Sequence, residues 1–206
     1  MQDIKPLYEA ILEGREKDAE ALTREAVQSG VDPTRIVKEG VIPAMAEAGR
    51  RFECTEFFVP DLLLASRAMK AALRILGNAT DPLGRVVIGT VKGDLHDIGK
   101  NLVAALLEGA GFEVIDLGYN VQPEQFVKAV QDKNANVVAL SALLTTTMGS
   151  MRLTIDALKQ AGIRDRVKVL VGGAPITQKF ADEIGADGYG DNAAEAVTVA
   201  RRCLAV

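Results

Sequence analysis

From Arg85 onward the chain alternates short apolar runs with amphipathic ones, and few folds accommodate that order. The predicted strands are Val86–Val91, Glu113–Leu117, Val137–Ser141, Lys168–Val171 and Asp187–Tyr189. Between and after them, helical periodicity covers Lys100–Gly109, Glu124–Asp132, Met148–Ala161, Gln178–Ile184 and Ala194–Leu204. Strands that are apolar on both faces need cover on both faces, so the pattern predicts a five-stranded parallel sheet between helices, flavodoxin- or Rossmann-like. Right-handed crossovers then bring every strand's carboxyl end to one edge. Five loops share that edge: Gly93–Gly99, Gly118-Tyr119-Asn120, Ala142–Thr147, Gly172-Gly173-Ala174-Pro175 and Gly190-Asp191-Asn192. Ligands of open α/β sheets bind there.

The chain before Arg85 has a different texture. From about Leu7 to Gly77 apolar residues recur at three- and four-residue steps, as in Leu7, Ile11, Leu12 and again in Ala19, Leu22, Ala26. Ser29-Gly30 closes that segment. Asp32-Pro33 starts the next helix, with an N-cap carboxylate followed by proline at the first helical position. Pro43 lies inside its pattern and should kink or divide it. A further helix runs from near Phe58-Val59-Pro60 to Leu76 and ends at Gly77-Asn78. This region, residues 1–79, predicts a helical bundle. Residues 80–84 read as a linker and residues 85–206 as the second domain.

Composition narrows the function. A net charge of −4 over 206 residues argues against nucleic acid as the main partner. No apolar run reaches the ~18 residues of a membrane-spanning helix, and the polar start lacks the apolar core of a signal peptide. Cys54 and Cys203, far apart, form neither a disulfide framework nor a zinc spacing, which points to a reducing cytoplasm.

Chemistry concentrates in the first edge loop, Gly93-Asp94-Leu95-His96-Asp97-Ile98-Gly99-Lys100, which holds the single histidine. A Walker loop does not fit: Gly93 to Gly99 is one residue too long, and Asn101 stands where a magnesium-binding hydroxyl belongs. The dinucleotide glycine fingerprint is absent after the first strand. A flavin site agrees with the topology, although only Tyr119 and Tyr189 supply edge-loop aromatics. One histidine is too few for a zinc enzyme. A metal held by one protein ligand brings its other ligands along, as in a macrocycle.

Asp94-x-His96-x-x-Gly99, then Ser141-x-Leu143, then Gly172-Gly173 resembles the three-part signature of the cobalamin-binding domain of methionine synthase and related corrinoid proteins. The N-terminal region is similar to their helical cap domain, with Phe57-Phe58-Val59-Pro60-Asp61-Leu62-Leu63 resembling the helix over the corrin's upper face. The resemblance covers nearly the whole chain and implies the stand-alone corrinoid subunit of a methyltransferase system.

The resemblance also implies roles. Cobalamin binds base-off, with His96 replacing its benzimidazole on cobalt and Asp94 orienting the imidazole. Thr147 holds the position of the family's serine in that relay. Leu95, Asp97 and Ile98 flank the ligand in the same loop, where Asp94 and Asp97 are also placed to cap the helix beginning near Ile98. Gly99, Ser141, Leu143, Thr145, Gly172 and Gly173 line the pocket for the displaced nucleotide tail, with Tyr189, Gly190 and Asp191 on the adjoining loop. Phe58 shields the upper face, with Leu62 beside it. The implied activity is methyl carriage: Co(I) accepts a methyl group from a substrate-specific methyltransferase, and methyl-Co(III) delivers it to a second methyltransferase acting on tetrahydrofolate or a thiol coenzyme. A reactivating reductase is the third partner. Methanol, methylamines and methoxyaromatics are the candidate donors, with an O-demethylase system favoured. A cobalamin-dependent sensor and an adenosylcobalamin mutase subunit are the alternatives.

Overall fold

In the computed structural model, which describes residues 3–77 and 81–206, β1 (Arg85–Thr90) begins the sheet and lies inside it, second from one edge. The sheet also contains β2 (Glu113–Asp116), β3 (Val137–Ser141), β4 (Lys168–Gly172) and β5 (Gly188–Gly190), all parallel, in the order β2-β1-β3-β4-β5. The order reverses between β1 and β3, so the loops after these two strands diverge around a crevice. Register aligns the carboxyl ends: Thr90 pairs with Ser141, Ser141 with Gly172, and Gly172 with Gly190. One row across the sheet edge thus holds three residues singled out by sequence, and Thr90, which was not.

Five helices connect and cover these strands: α6 (Ile98–Gly109), α7 (Pro123–Lys133), α8 (Gly149–Gln160), α9 (Gln178–Ile184) and α10 (Ala193–Leu204). A 3-10 turn at Arg164–Arg166 precedes β4. The apolar strands form a core with the inward faces of α7 and α8, in which Val87, Val138, Leu140, Phe126, Met151, Ile155 and Leu158 are almost fully buried. Gly89 interrupts the β-branched run of β1 for a packing reason. A Cβ there would lie 2.8 Å from the Phe126 ring.

The N-terminal part is helical, with α1 (Lys5–Leu12), α2 (Glu16–Gln28), α3 (Pro33–Ile36), α4 (Ile42–Glu53) and α5 (Val59–Leu76). Gly14, at φ +69°, breaks the first periodic stretch into two helices, and its backbone lies so close to Leu64 that a Cβ would stand 2.5 Å away. Asp32 caps α3 by accepting the Thr34 N–H. Pro43 is accommodated by a π-helical turn, Val37–Val41, ahead of it, so the missing N–H falls at the start of α4. The chain divides into two compact units, one running to Pro82 and including Glu108–Gly111, the other holding Leu83–Leu107 and Phe112–Val206. The predicted linker begins at Thr80, which lies outside the described residues. Among the described residues no helix is long and apolar enough to cross a membrane.

Candidate functional site

The loop between β1 and α6 is built around the Asp94 carboxylate, which is fully buried. Oδ1 accepts the backbone N–H of His96 at 3.0 Å and meets His96 Nδ1 at 2.7 Å. Oδ2 accepts the backbone N–H groups of Leu143 and Leu144 at 2.8 and 3.2 Å, and the Thr147 hydroxyl at 2.7 Å. Burial alone would raise the carboxyl's pKa. The Thr147 hydroxyl, the His96 and Leu143 N–H groups and the imidazole outweigh it, and hold Asp94 well below the usual carboxylate range. Asp94 is therefore an anion and accepts only.

That settles the tautomer of His96. Nδ1 must donate to the anion, which leaves the lone pair of a neutral imidazole on Nε2. The His96 side chain is half exposed while its partner carboxylate has no exposure at all. A metal-ligating histidine whose other ring nitrogen is held by a buried carboxylate has this form. Among the described residues no group of three or more His, Cys, Asp or Glu is placed to hold a metal ion. A metal on Nε2 would have to carry its remaining ligands with it.

The surroundings suit a large, flat, mostly apolar group. Leu95, Ile98, Tyr119, Leu143 and Leu144 are all between 42% and 68% exposed; Ile98 opens α6, and the others belong to the three loops that converge on Asp94. Apolar side chains so exposed in one place usually await a partner. Gly99 faces open space, with nothing within 4 Å of where a Cβ would stand. Gly173 is the opposite: at φ +127° its Cβ would fall 1.9 Å from the Ala142 carbonyl oxygen, so only glycine fits. At Gly172 a Cβ would approach the Gly190 carbonyl at 3.1 Å. Close packing thus demands glycine at the end of β4, on the same sheet edge as a histidine that can ligate, and the residues present fit a corrinoid.

The structure brings the first-loop residues, Ser141, Leu143 and Thr147 together around the switch point. Leu143 has a role that its pocket assignment did not include, since its backbone N–H binds Asp94. Thr145 is exposed on the same loop. Asp97 begins α6 through its carbonyl, which accepts the Asn101 N–H at 2.8 Å. Tyr189 donates its hydroxyl to Asp191 at 2.8 Å beside the buried Gly190, which fixes that loop's side chains to each other. In the helical unit Phe58 is 65% exposed at the start of α5, its N–H held by Asp61 at 2.8 Å. Leu62 corrects the expectation made for it. It opens the buried stripe Leu62, Ala65, Met69, Ala72, Leu76 at helical spacing, and has no free surface for a ligand.

Two contributors went unassigned by sequence. Buried Thr90 donates to the His96 carbonyl at 3.0 Å. Asn120 accepts the Gly93 N–H at 2.8 Å through Oδ1 and donates its own N–H to the Asp94 carbonyl at 3.0 Å. An asparagine inside a glycine-bounded turn is a signal for the left-handed conformation it adopts, φ +54°.

Comparisons with known proteins agree with this chemistry. The B12 binding domain family matches residues 84–198, and a second family of the same description matches residues 4–76. The chain is 43% identical over 207 residues to dimethylamine corrinoid protein 2 of Methanosarcina mazei, covering 98% of this chain and 96% of that one. It is 42% identical over 205 residues to the trimethylamine corrinoid protein of Methanosarcina barkeri, covering 96% and 94%. Among solved structures, a chain of the methanol:cobalamin methyltransferase complex of Methanosarcina barkeri superimposes with a TM-score of 0.89 at 32% identity, over 98% of this chain and 79% of that one.

Proposed function

This chain belongs to the B12-binding family as a corrinoid protein of a methyltransferase system, and from that premise we propose that it shuttles a methyl group between two partner methyltransferases. The observation that carries the reading is the fixed imidazole: a half-exposed His96 whose Nδ1 is committed to buried, anionic Asp94. In this reading His96 Nε2 would hold the cobalt of a base-off cobalamin. When bound, its cobalt supplies both the nucleophile and the leaving group of methyl transfer.

The protein's part is ligation, orientation and access. Asp94 keeps the Nδ1 proton in place and leaves Nε2 as the nitrogen free to ligate. Thr147 and the Leu143 and Leu144 N–H groups keep Asp94 ionised and immobile. In this reading the displaced nucleotide tail would lie along the sheet edge at Ser141, Thr145, Gly172, Gly173, Tyr189, Gly190 and Asp191, with open space beside Gly99 to receive it. The helical N-terminal unit would act as the cap that the resemblance implies, with Phe58, exposed at the start of α5, as its shielding residue. Among the donors considered, a methylamine replaces the methoxyaromatic compound favoured by sequence, because the two relatives at 42–43% identity are methylamine corrinoid proteins. The acceptor-side methyltransferase uses tetrahydrofolate or a thiol coenzyme, and a reductase restores activity. Cys54 and Cys203, both free thiols, suit a reducing cytoplasm.

The test is spectroscopic. Protein reconstituted with hydroxocobalamin and reduced to Co(II) should show superhyperfine splitting from one imidazole nitrogen, and His96→Ala should lose it. Identical spectra from the two proteins, or no uptake of cobalamin, would sink the assignment.

A further inference from the structure

The β1–α6 loop is fastened from a side that the three-part motif does not include. Asn120, between β2 and α7, closes a two-bond clasp on the two residues that start the loop. Its Oδ1 takes the Gly93 N–H at 2.8 Å, and its own N–H binds the Asp94 carbonyl at 3.0 Å. Both ends of the clasp are in left-handed backbone, Asn120 at φ +54° and Gly93 at φ +84°. Asparagine tolerates that region and carries a short acceptor, so one residue satisfies both demands. The Asp94 side chain is pinned from the opposite direction by Leu143, Leu144 and Thr147. Backbone and side chain of Asp94 are thus held by different loops.

We infer that Asn120 is a positioning residue for the His96 ligand: it fixes the backbone from which Asp94 aims the imidazole. The inference rests on the proposed role of His96 as the cobalt ligand. If the clasp is released, Gly93 and Asp94 gain backbone freedom, and the Asp94 carboxylate no longer presents Oδ1 to Nδ1 at a single angle. The imidazole then spends part of its time off the metal.

Three variants of the full chain separate this from a merely structural role. Asn120→Gly keeps the left-handed backbone and removes the acceptor. Asn120→Asp keeps both. His96→Ala is the reference for an unligated metal. Amide exchange at Gly93, measured without cofactor, reads the clasp directly and should speed up at least tenfold in Asn120→Gly and little in Asn120→Asp. In protein loaded with cobalamin and reduced to Co(II), the fraction of signal with nitrogen splitting should drop at least twofold in Asn120→Gly and return in Asn120→Asp. Wild-type splitting that persists undiminished in Asn120→Gly would overturn the inference and leave the role of His96 standing. Wild-type protein without splitting would overturn both together.

Discussion

Thr147 Oγ1 lies 2.7 Å from Asp94 Oδ2, a bond that spans 53 residues of sequence and ties the loop after β3 to the loop after β1. The two loops diverge at the sheet's switch point, so this contact closes the crevice from beneath. The hydroxyl also lies 2.8 Å from the Leu144 carbonyl, but it has one proton, and the anion is the stronger acceptor. The threonine methyl has its own place, since a Cβ built on Gly93 would be 3.6 Å from Thr147 Cγ2.

Replacement of Thr147 should therefore depend on the hydroxyl and little on the methyl. Thr147→Val keeps the shape, removes the donor, and should cost roughly 1.5–3 kcal/mol in urea unfolding, the range for a hydrogen bond to a charged group. Thr147→Ser keeps the donor and should stay within about 1 kcal/mol of wild type. Equal losses in the two variants would mean that packing, not the bond to Asp94, is what Thr147 provides.

Asp94 makes stability depend on acid. Its folded pKa is depressed, while the unfolded chain should titrate near ~3.9. As pH falls the unfolded state takes up the proton first, so the contribution is complete above about pH 5 and is lost as pH drops through ~4 toward the lower folded value. Asp94→Asn cannot accept as an anion and leaves buried donors short of a partner, which should cost roughly 2–4 kcal/mol at pH 7. The gap between wild type and variant, from urea midpoints, should narrow at pH 3.5. A gap that held constant or widened in acid would contradict the depressed carboxyl.

Lys100 is a second buried charge in this region, its side chain 1% exposed and paired with Asp116 at the end of β2 and with Asn101 Oδ1 at 2.6 Å. Asp116 is 39% exposed and also accepts the Gly118 N–H at 2.8 Å. Breaking such a pair from the acidic side strands the ammonium, whereas an apolar replacement of the lysine strands nothing charged in the interior. Asp116→Ala should lose roughly 3 kcal/mol, the low end for a buried pair because its carboxylate is partly solvated, and Lys100→Met distinctly less. Calorimetric midpoints in the reverse order would show that the ammonium has another compensating partner.

The fold was legible because its signals are local and repeated. Apolar strands, helical periodicity, Asp32-Pro33 and Pro43 each dictate backbone without reference to distant residues, and element ends from β1 onward agree within about two residues, whereas the first helical stretch, read as one segment, is broken at Gly14. His96, Asp94 and Gly173 were legible because their spacing is that of the corrinoid family. Asn120 was not, since it acts on backbone 27 residues away through a contact that exists only once β1 and β2 lie side by side, and Thr90 was not, since its bond to a carbonyl six residues along the chain leaves no pattern in sequence. Leu62 was grouped with Phe58 because the two are near neighbours in sequence, although Phe58 stands exposed at the start of α5 and Leu62 is buried. Its neighbours at three- and four-residue steps decide which side is buried.

Gly99 and Gly173 carry equal weight in the motif and should respond in opposite ways to alanine. At Gly173 a methyl group would collide with the Ala142 carbonyl at 1.9 Å, in a backbone conformation that L-residues seldom adopt. Gly173→Ala should cost more than ~3 kcal/mol or fail to fold, as strain of this kind does. Gly99 sits in the first turn of α6 with open space beside it, so nothing in the protein itself demands glycine. Gly99→Ala should unfold no earlier than wild type, and could gain ~0.5–1 kcal/mol from helix propensity. Its defect should appear in cobalamin binding, because the added methyl occupies space left for the ligand, with affinity falling at least tenfold in equilibrium titration. Stable Gly99→Ala protein that bound cobalamin as tightly as wild type would place the nucleotide tail elsewhere on the sheet edge.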